Sequence, residues 1–249
     1  MAVFGWKFEP EWLIRDMKRN LAPWVDSFAV VDCRWRRSEL WINEGHYRQL
    51  QRKAARWKRA DWVLVTSPDE RWEDGAGEII RPLIDGKKDK VVYKFHLREM
   101  WTPTAYRVDK LWGRKLRGRL YPFLPEQRMS TRRIQSGPTP IIDGSYQVRL
   151  LDLNIYHLKM IEPENRVLRA EVFEALDPDY KHQTRDPAKL SWRRRQLDPE
   201  GVLLREGYHY LYNEEGIELE EIPEGHGYSP PYTRPYRFEV PPRLMPKTK

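Results

Sequence analysis

The stretch Ala60-Asp61-Trp62-Val63-Leu64-Val65-Thr66-Ser67-Pro68-Asp69-Glu70-Arg71-Trp72 limits the fold more than any other part of the sequence. Trp62 to Thr66 are apolar or β-branched without a break, which suits a strand covered on both faces, as in a parallel sheet. Pro68 has no N–H to donate, so the ladder stops there. Asp69 and Glu70 then fall at the carboxyl end of the strand, the edge where ligands bind in open α/β sheets. A carboxylate there is placed to hold a divalent metal, and the metal a diphosphate. Taken alone, Pro-Asp-Glu-Arg reads as an ordinary solvated turn.

The upstream order of elements changes that reading. Ala2-Val3-Phe4-Gly5-Trp6 makes a short first strand. A helix follows, with Pro10 in its first turn, where proline is tolerated. Trp12, Leu13, Met17, Leu21, Trp24 and Val25 recur at helical spacing as one apolar stripe. Ser27 to Asp32 is a second strand ending in an aspartate. A second helix runs from about Glu44 to Arg59, with Tyr47, Leu50, Ala54 and Trp57 expected on one face. The result is β-α-β-α-β, the pattern of a parallel sheet with helical crossovers. Parallel strands bring their carboxyl ends to one edge, so Glu9, Asp32 and Asp69 should converge there.

A chain of 249 residues can bury a substantial core. No apolar run reaches the ~20 residues that cross a membrane. The apolar start is interrupted by Lys7 and Glu9, unlike a secretion signal. A single cysteine, Cys33, rules out an internal disulfide and fits a reducing, cytoplasmic compartment. The net charge of +8 favours polyanionic partners, either a nucleic acid or a small dianion such as a sugar nucleotide. Basic clusters at Lys53 to Arg59, Arg114 to Arg119, Arg128 to Arg133 and Arg193 to Arg195 read mostly as solvated faces. Trp35-Arg36-Arg37 and Trp192-Arg193-Arg194-Arg195 interleave aromatic and cationic groups that could stack on bases. The eleven tryptophans would equally suit sugar faces.

Lys90 to Met100 alternates. Val91, Tyr93, Phe95 and Leu97 point one way and Val92, Lys94, His96 and Arg98 the other, which carries Glu99 to the apolar side. A carboxylate in that setting would have a raised pKa and suit a general base, unless it pairs with an arginine. Asp109 and Glu126 are the other two candidate bases. Leu151, Leu153, Ile155 and His157 share one strand face. Glu162-Pro163 opens a helix that ends at Asp177-Pro178. Beyond residue 180 the chain is charged, turn-rich and Pro-rich, an extension (181–249) expected to pack on the core formed by 1–180. P-loop, Gly-x-Gly-x-x-Gly and Gly-x-Ser-x-Gly signatures do not occur.

These motifs, over about residues 2 to 180, resemble the family 2 glycosyltransferases with a GT-A fold. Trp6-Lys7-Phe8-Glu9 stands where the first strand of that family ends, and Val30-Val31-Asp32 matches the strand whose Asp recognises the nucleobase. Asn43 to Arg56 looks like the basic helix. Ser67-Pro68-Asp69-Glu70 looks like a degenerate Asp-x-Asp, with Ser67 replacing the first Asp. Asp152 to Leu158 is similar to a strand that supplies a metal-binding histidine. The resemblance implies an α/β, GT-A-like (Rossmann-like) fold with a mostly parallel sheet flanked by helices. It implies transfer of a sugar from a nucleotide-sugar donor, UDP-sugar foremost, to an acceptor hydroxyl on a glycan, protein or modified DNA, with inversion. Glu9 and Asp32 would then contact the nucleotide, Arg52 and Arg56 its phosphates, and Asp69 with His157 would hold Mn²⁺ or Mg²⁺. Glu99, Asp109 or Glu126 would take the acceptor proton. The alternative is a nucleic-acid-binding protein using the basic surface.

Overall fold

The computed structural model describes residues 1–7, 9–33, 43–85, 89–132, 136–180, 188, 196 and 198–237. The readings placed on Trp35-Arg36-Arg37 and on Trp192-Arg193-Arg194-Arg195 lie outside the described residues.

The amino-terminal half follows the hydrophobic periodicity. Strand β1 (Ala2–Trp6), helix α1 (Glu11–Leu21), β2 (Phe28–Asp32), α2 (Glu44–Trp57) and β3 (Trp62–Val65) occur in that order. Pro10 occupies the N-cap of α1 in an extended conformation, and Leu13, Ile14, Met17 and Leu21 form the buried stripe. The Asn43 side chain caps α2 by accepting from the His46 N–H at 3.0 Å. The buried face of α2 is Tyr47, Gln51 and Ala55. Trp57 does not join it and is 78 % exposed. The helical step of roughly 100° per residue turns Trp57 about 120° away from Gln51. The three-four-three spacing read from the sequence therefore misplaces its last member.

Next come β4 (Glu70–Trp72), α3 (Ala76–Ile84), β5 (Val91–Glu99), β6 (Ala105–Arg107), β7 (Leu116–Pro122), β8 (Gln147–His157), α4 (Pro163–Leu176), α5 (Val202–Glu206) and β9 (Leu219–Glu221). Seven strands form one sheet in the order β2-β1-β3-β7-β5-β8-β4. β1 is parallel to both β2 and β3. β7 is antiparallel to both β3 and β5. The sheet is thus mixed, which corrects the expectation of a mostly parallel one. Crossover helices α1 and α2 hold the first three strands parallel, whereas an antiparallel neighbour needs no such helix.

The described contacts divide the chain into two compact units that interleave along the sequence. The first comprises Met1–Leu97, Leu116–Tyr156 and Pro223–Pro231. Its larger core packs α1 and α3 on one sheet face through Phe4, Met17, Leu21, Leu64, Trp72, Ile80 and Phe95. Trp72 meets Phe95 edge-on at 4.7 Å between ring centroids, a geometry that adds about 0.5–1.5 kcal/mol beyond the area buried. The Asn20 side chain bonds both the N–H (2.7 Å) and the carbonyl (2.8 Å) of Trp72, tying α1 to β4.

The second unit comprises Arg98–Lys115, His157–Ile222 and Tyr232–Lys249. Its core gathers Trp101, Leu111, Trp112, Met160, Ala170, Val202, Leu203, Tyr208 and Leu211. The aromatic segment Gly207–Leu211 is a 3-10 helix inside this core.

Candidate functional site

The order β2-β1-β3 makes three parallel neighbours, so their carboxyl ends share one edge of the sheet. Asp32 ends β2 in register with Trp6, the last residue of β1. The Cys33 N–H donates to the Trp6 carbonyl at 2.8 Å, continuing the ladder past that point. Glu9 follows β1 and turns back on it, its Oε2 accepting from the Lys7 N–H at 2.8 Å. Asp69 follows β3. Glu9, Asp32 and Asp69 therefore sit at one edge, as the strand order requires.

The turn that carries Asp69 is not solvated. Asp69 is 4 % exposed, Glu70 1 % and Arg71 1 %. The Arg71 guanidinium donates to the Pro68 and Glu70 carbonyls, both at 2.9 Å, and to the Leu13 carbonyl of α1 at 3.3 Å. Glu70 Oε2 accepts from the Ser67 N–H at 3.1 Å and the Thr66 hydroxyl at 3.3 Å. Its Oε1 pairs with Arg119 of β7. A turn held by so many charge-assisted bonds fixes the backbone that carries Asp69.

Cations complete the edge. Lys7 Nζ lies 5.3 Å and Arg48 Cζ 4.9 Å from the Tyr47 ring centroid. Tyr47 packs directly on the backbone of Gly5, where an added Cβ would come within 2.0 Å of the Tyr47 hydroxyl oxygen. Gln51 donates to that hydroxyl at 2.9 Å and accepts from Arg48 at 2.8 Å, so ring and guanidinium are both positioned. Cys33 lies in the same field. Burial pushes its thiol up to about 11, with Glu9 and Asp32 adding to the rise and Lys7 and Arg48 opposing it. At 1 % exposure it serves as a buried packing group.

Arg52, Arg56 and Glu126 are placed toward the other edge. α2 begins after the carboxyl end of β2 and ends before the amino end of β3, so only its first turns reach the acids. Arg52 donates to the Leu124 and Pro125 carbonyls. That loop follows Pro122, which pairs with Trp62, the first residue of β3. Glu126 lies in the same loop, exposed and 4.0 Å from Lys90. Arg48, over Tyr47, and Arg119, paired with Glu70, lie toward the carboxyl edge. Arg48 was legible as the first arginine of the basic helix, and Arg119 as the last member of a basic cluster whose ion pairing with Glu70 the sequence does not show.

Glu99 and Asp109 belong to the second unit. Glu99 is 1 % exposed, on the buried face that the alternation of β5 implies. Its Oε1 takes Lys115 Nζ at 3.1 Å and its Oε2 faces His157 Nδ1 at 2.6 Å. Burial alone would raise its pKa, but Lys115 and His157 outweigh that and hold the carboxyl well below the usual range. The expected upward shift is reversed, because the counter-charges are a lysine sixteen residues on and a histidine on β8. Lys115 Nζ also sits 3.7 Å from the Trp112 ring centroid. Asp109 is held bidentately by Arg107 at 2.6 and 2.9 Å. Within the cluster Arg114 to Arg119, Lys115 and Arg119 are buried ion-pair partners and not a solvated face.

Among the described residues no group of three or more His, Cys, Asp and Glu side chains is arranged to hold a metal ion. The donor chemistry at the edge, carboxylate oxygen, is nonetheless that of Mg²⁺ or Mn²⁺. Mg²⁺ in particular is commonly held by one or two carboxylates plus substrate phosphates, without a protein cage.

No family model matches the chain, and no curated protein matches it. Among solved structures, S. aureus TarS is similar with a TM-score of 0.38 and 13 % identity, over 86 % of this chain and 49 % of that one. The chain spans about half the length of that structure.

Proposed function

We propose that the chain is a glycosyltransferase that binds a nucleotide sugar at the carboxyl edge of β2-β1-β3. The observation that supports this reading is the strand order, which delivers Glu9, Asp32 and Asp69 to one edge, together with the cations Lys7, Arg48 and Arg119. Carboxylates suit the N–H and O–H donors of a nucleoside, and arginine suits the planar geometry of a phosphate. Asp32 takes the base or ribose and Arg48 with Lys7 the diphosphate. Asp69 is the ligand for a divalent ion that arrives with the diphosphate and, when bound, screens its charge.

The acceptor proton is not assigned to Glu99, Asp109 or Glu126. The first two have both carboxylate oxygens occupied, and the third lies toward the opposite edge. The transferred sugar and the inverting outcome rest on the family resemblance.

The test is a thermal-shift panel of nucleoside diphosphates and their sugars, each with and without Mn²⁺. A ligand at a hundredfold its Kd adds about 2.7 kcal/mol of stability, well above detection. The reading expects one nucleotide class to stabilise the protein, more strongly with Mn²⁺. A panel with no stabilising nucleotide would refute it.

A further inference from the structure

The end of α2 carries a surface that the donor site does not use. Trp57 is 78 % exposed, by far the most exposed of the large hydrophobic residues described. Lys53, Arg56, Lys58 and Arg59 surround it in sequence and are all exposed. Lys58 Nζ lies 5.0 Å from the Trp57 ring centroid. No aspartate or glutamate occurs between Gly45 and Ala60. Asp61, also exposed, is the first acid after the cluster. Leaving an indole this open forgoes a large burial gain, and here the exposed ring carries one lysine on its face within a run of exposed cations.

We infer that this helix end docks single-stranded nucleic acid, with the Trp57 indole stacking on a base and Lys53, Arg56, Lys58 and Arg59 neutralising the flanking phosphates. The charge is complementary to a phosphodiester backbone, and the π-face is complementary to any base, so recognition tolerates sequence. An anionic membrane surface shares the charge but needs a broad apolar face inserted alongside it. Trp57 is the only exposed large hydrophobic residue that α2 offers, which favours the nucleic acid. The surface lies toward the amino-terminal edge of β3, whereas the acids of the donor site lie at the carboxyl edge. Nucleic-acid docking here is therefore independent of the glycosyltransferase reading.

The experiment is fluorescence anisotropy of a labelled oligothymidylate titrated with the full chain, across a salt series. In parallel, co-sedimentation is measured with phosphatidylserine-containing vesicles. Wild-type protein binds the oligonucleotide. W57A weakens it roughly 5- to 150-fold, the equivalent of one base–aromatic stack. Replacing Lys53, Arg56, Lys58 and Arg59 by glutamine lowers the salt slope by about 0.7 for each phosphate that is no longer neutralised. Both variants keep the wild-type melting temperature, because the altered side chains are exposed. Unchanged oligonucleotide affinity in W57A would overturn the inference. So would wild-type protein that sediments with vesicles and does not bind the oligonucleotide.

Discussion

Substituting Lys115 with methionine isolates the charge cluster of the second unit. Lys115 is 6 % exposed and Glu99 1 %, and their 3.1 Å bond is one of the two that hold the Glu99 carboxylate. Methionine keeps the length and apolar stem of lysine but leaves a buried carboxylate with His157 and the weaker pull of the Arg169 charge. Breaking a buried pair from one side costs about 3–5 kcal/mol. Against a total stability of about 5–15 kcal/mol, that is a large fraction. Removing both charges is milder, so K115M/E99Q should recover most of the loss, to within about 1–2 kcal/mol of wild type. The sign of the pH dependence follows from the lowered pKa. The contribution of Glu99 is present above its ordinary pKa of 4.5 and is lost as pH falls through the lower folded value. The assay is urea unfolding of wild type, both single variants and the double variant at pH 7, then in steps below pH 4.5. A single variant costing under ~1 kcal/mol, or a double no more stable than K115M, would refute the reasoning.

Two further outcomes follow from local geometry. Asn20→Ala should cost about 2–3 kcal/mol in urea unfolding, because it strands the buried N–H and carbonyl of Trp72; a loss below ~0.5 kcal/mol would mean water replaces the amide. The Cys33 thiol, raised to about 11 and 1 % exposed, should react with a disulfide reagent at pH 8 at least ~100-fold more slowly in the folded protein than in urea; equal rates would contradict its burial.

The β-α-β-α-β start was legible because each element carries its own period: the Trp62 run, the α1 stripe, the strand ending at Asp32. The strand order behind it followed from crossover helices. Pairings at long range were not legible. β7 inserts between β3 and β5, and nothing local in Leu116–Pro122 announces those neighbours. The same gap explains Glu99. Period two located it on the buried face, but Lys115 and His157 arrive from other segments and reverse its pKa shift. The basic helix was legible as a helix. It runs away from the acidic edge, which puts Arg48 nearer that edge than Arg52 or Arg56. Trp57 was assigned to the core by spacing alone, whereas the buried face of α2 is centred on Gln51.

The central claim is that the carboxyl edge of β2-β1-β3 binds a nucleoside diphosphate. Isothermal titration of UDP, with and without Mn²⁺, into wild type, D32N, R48Q, D69N and R56Q tests it most directly. D32N and R48Q should each weaken UDP about tenfold or more, the loss of a charge-assisted hydrogen bond. D69N loses only the Mn²⁺ enhancement, and R56Q, toward the other edge, binds as wild type. UDP affinity that is unchanged in D32N and R48Q but lost in R56Q would contradict it.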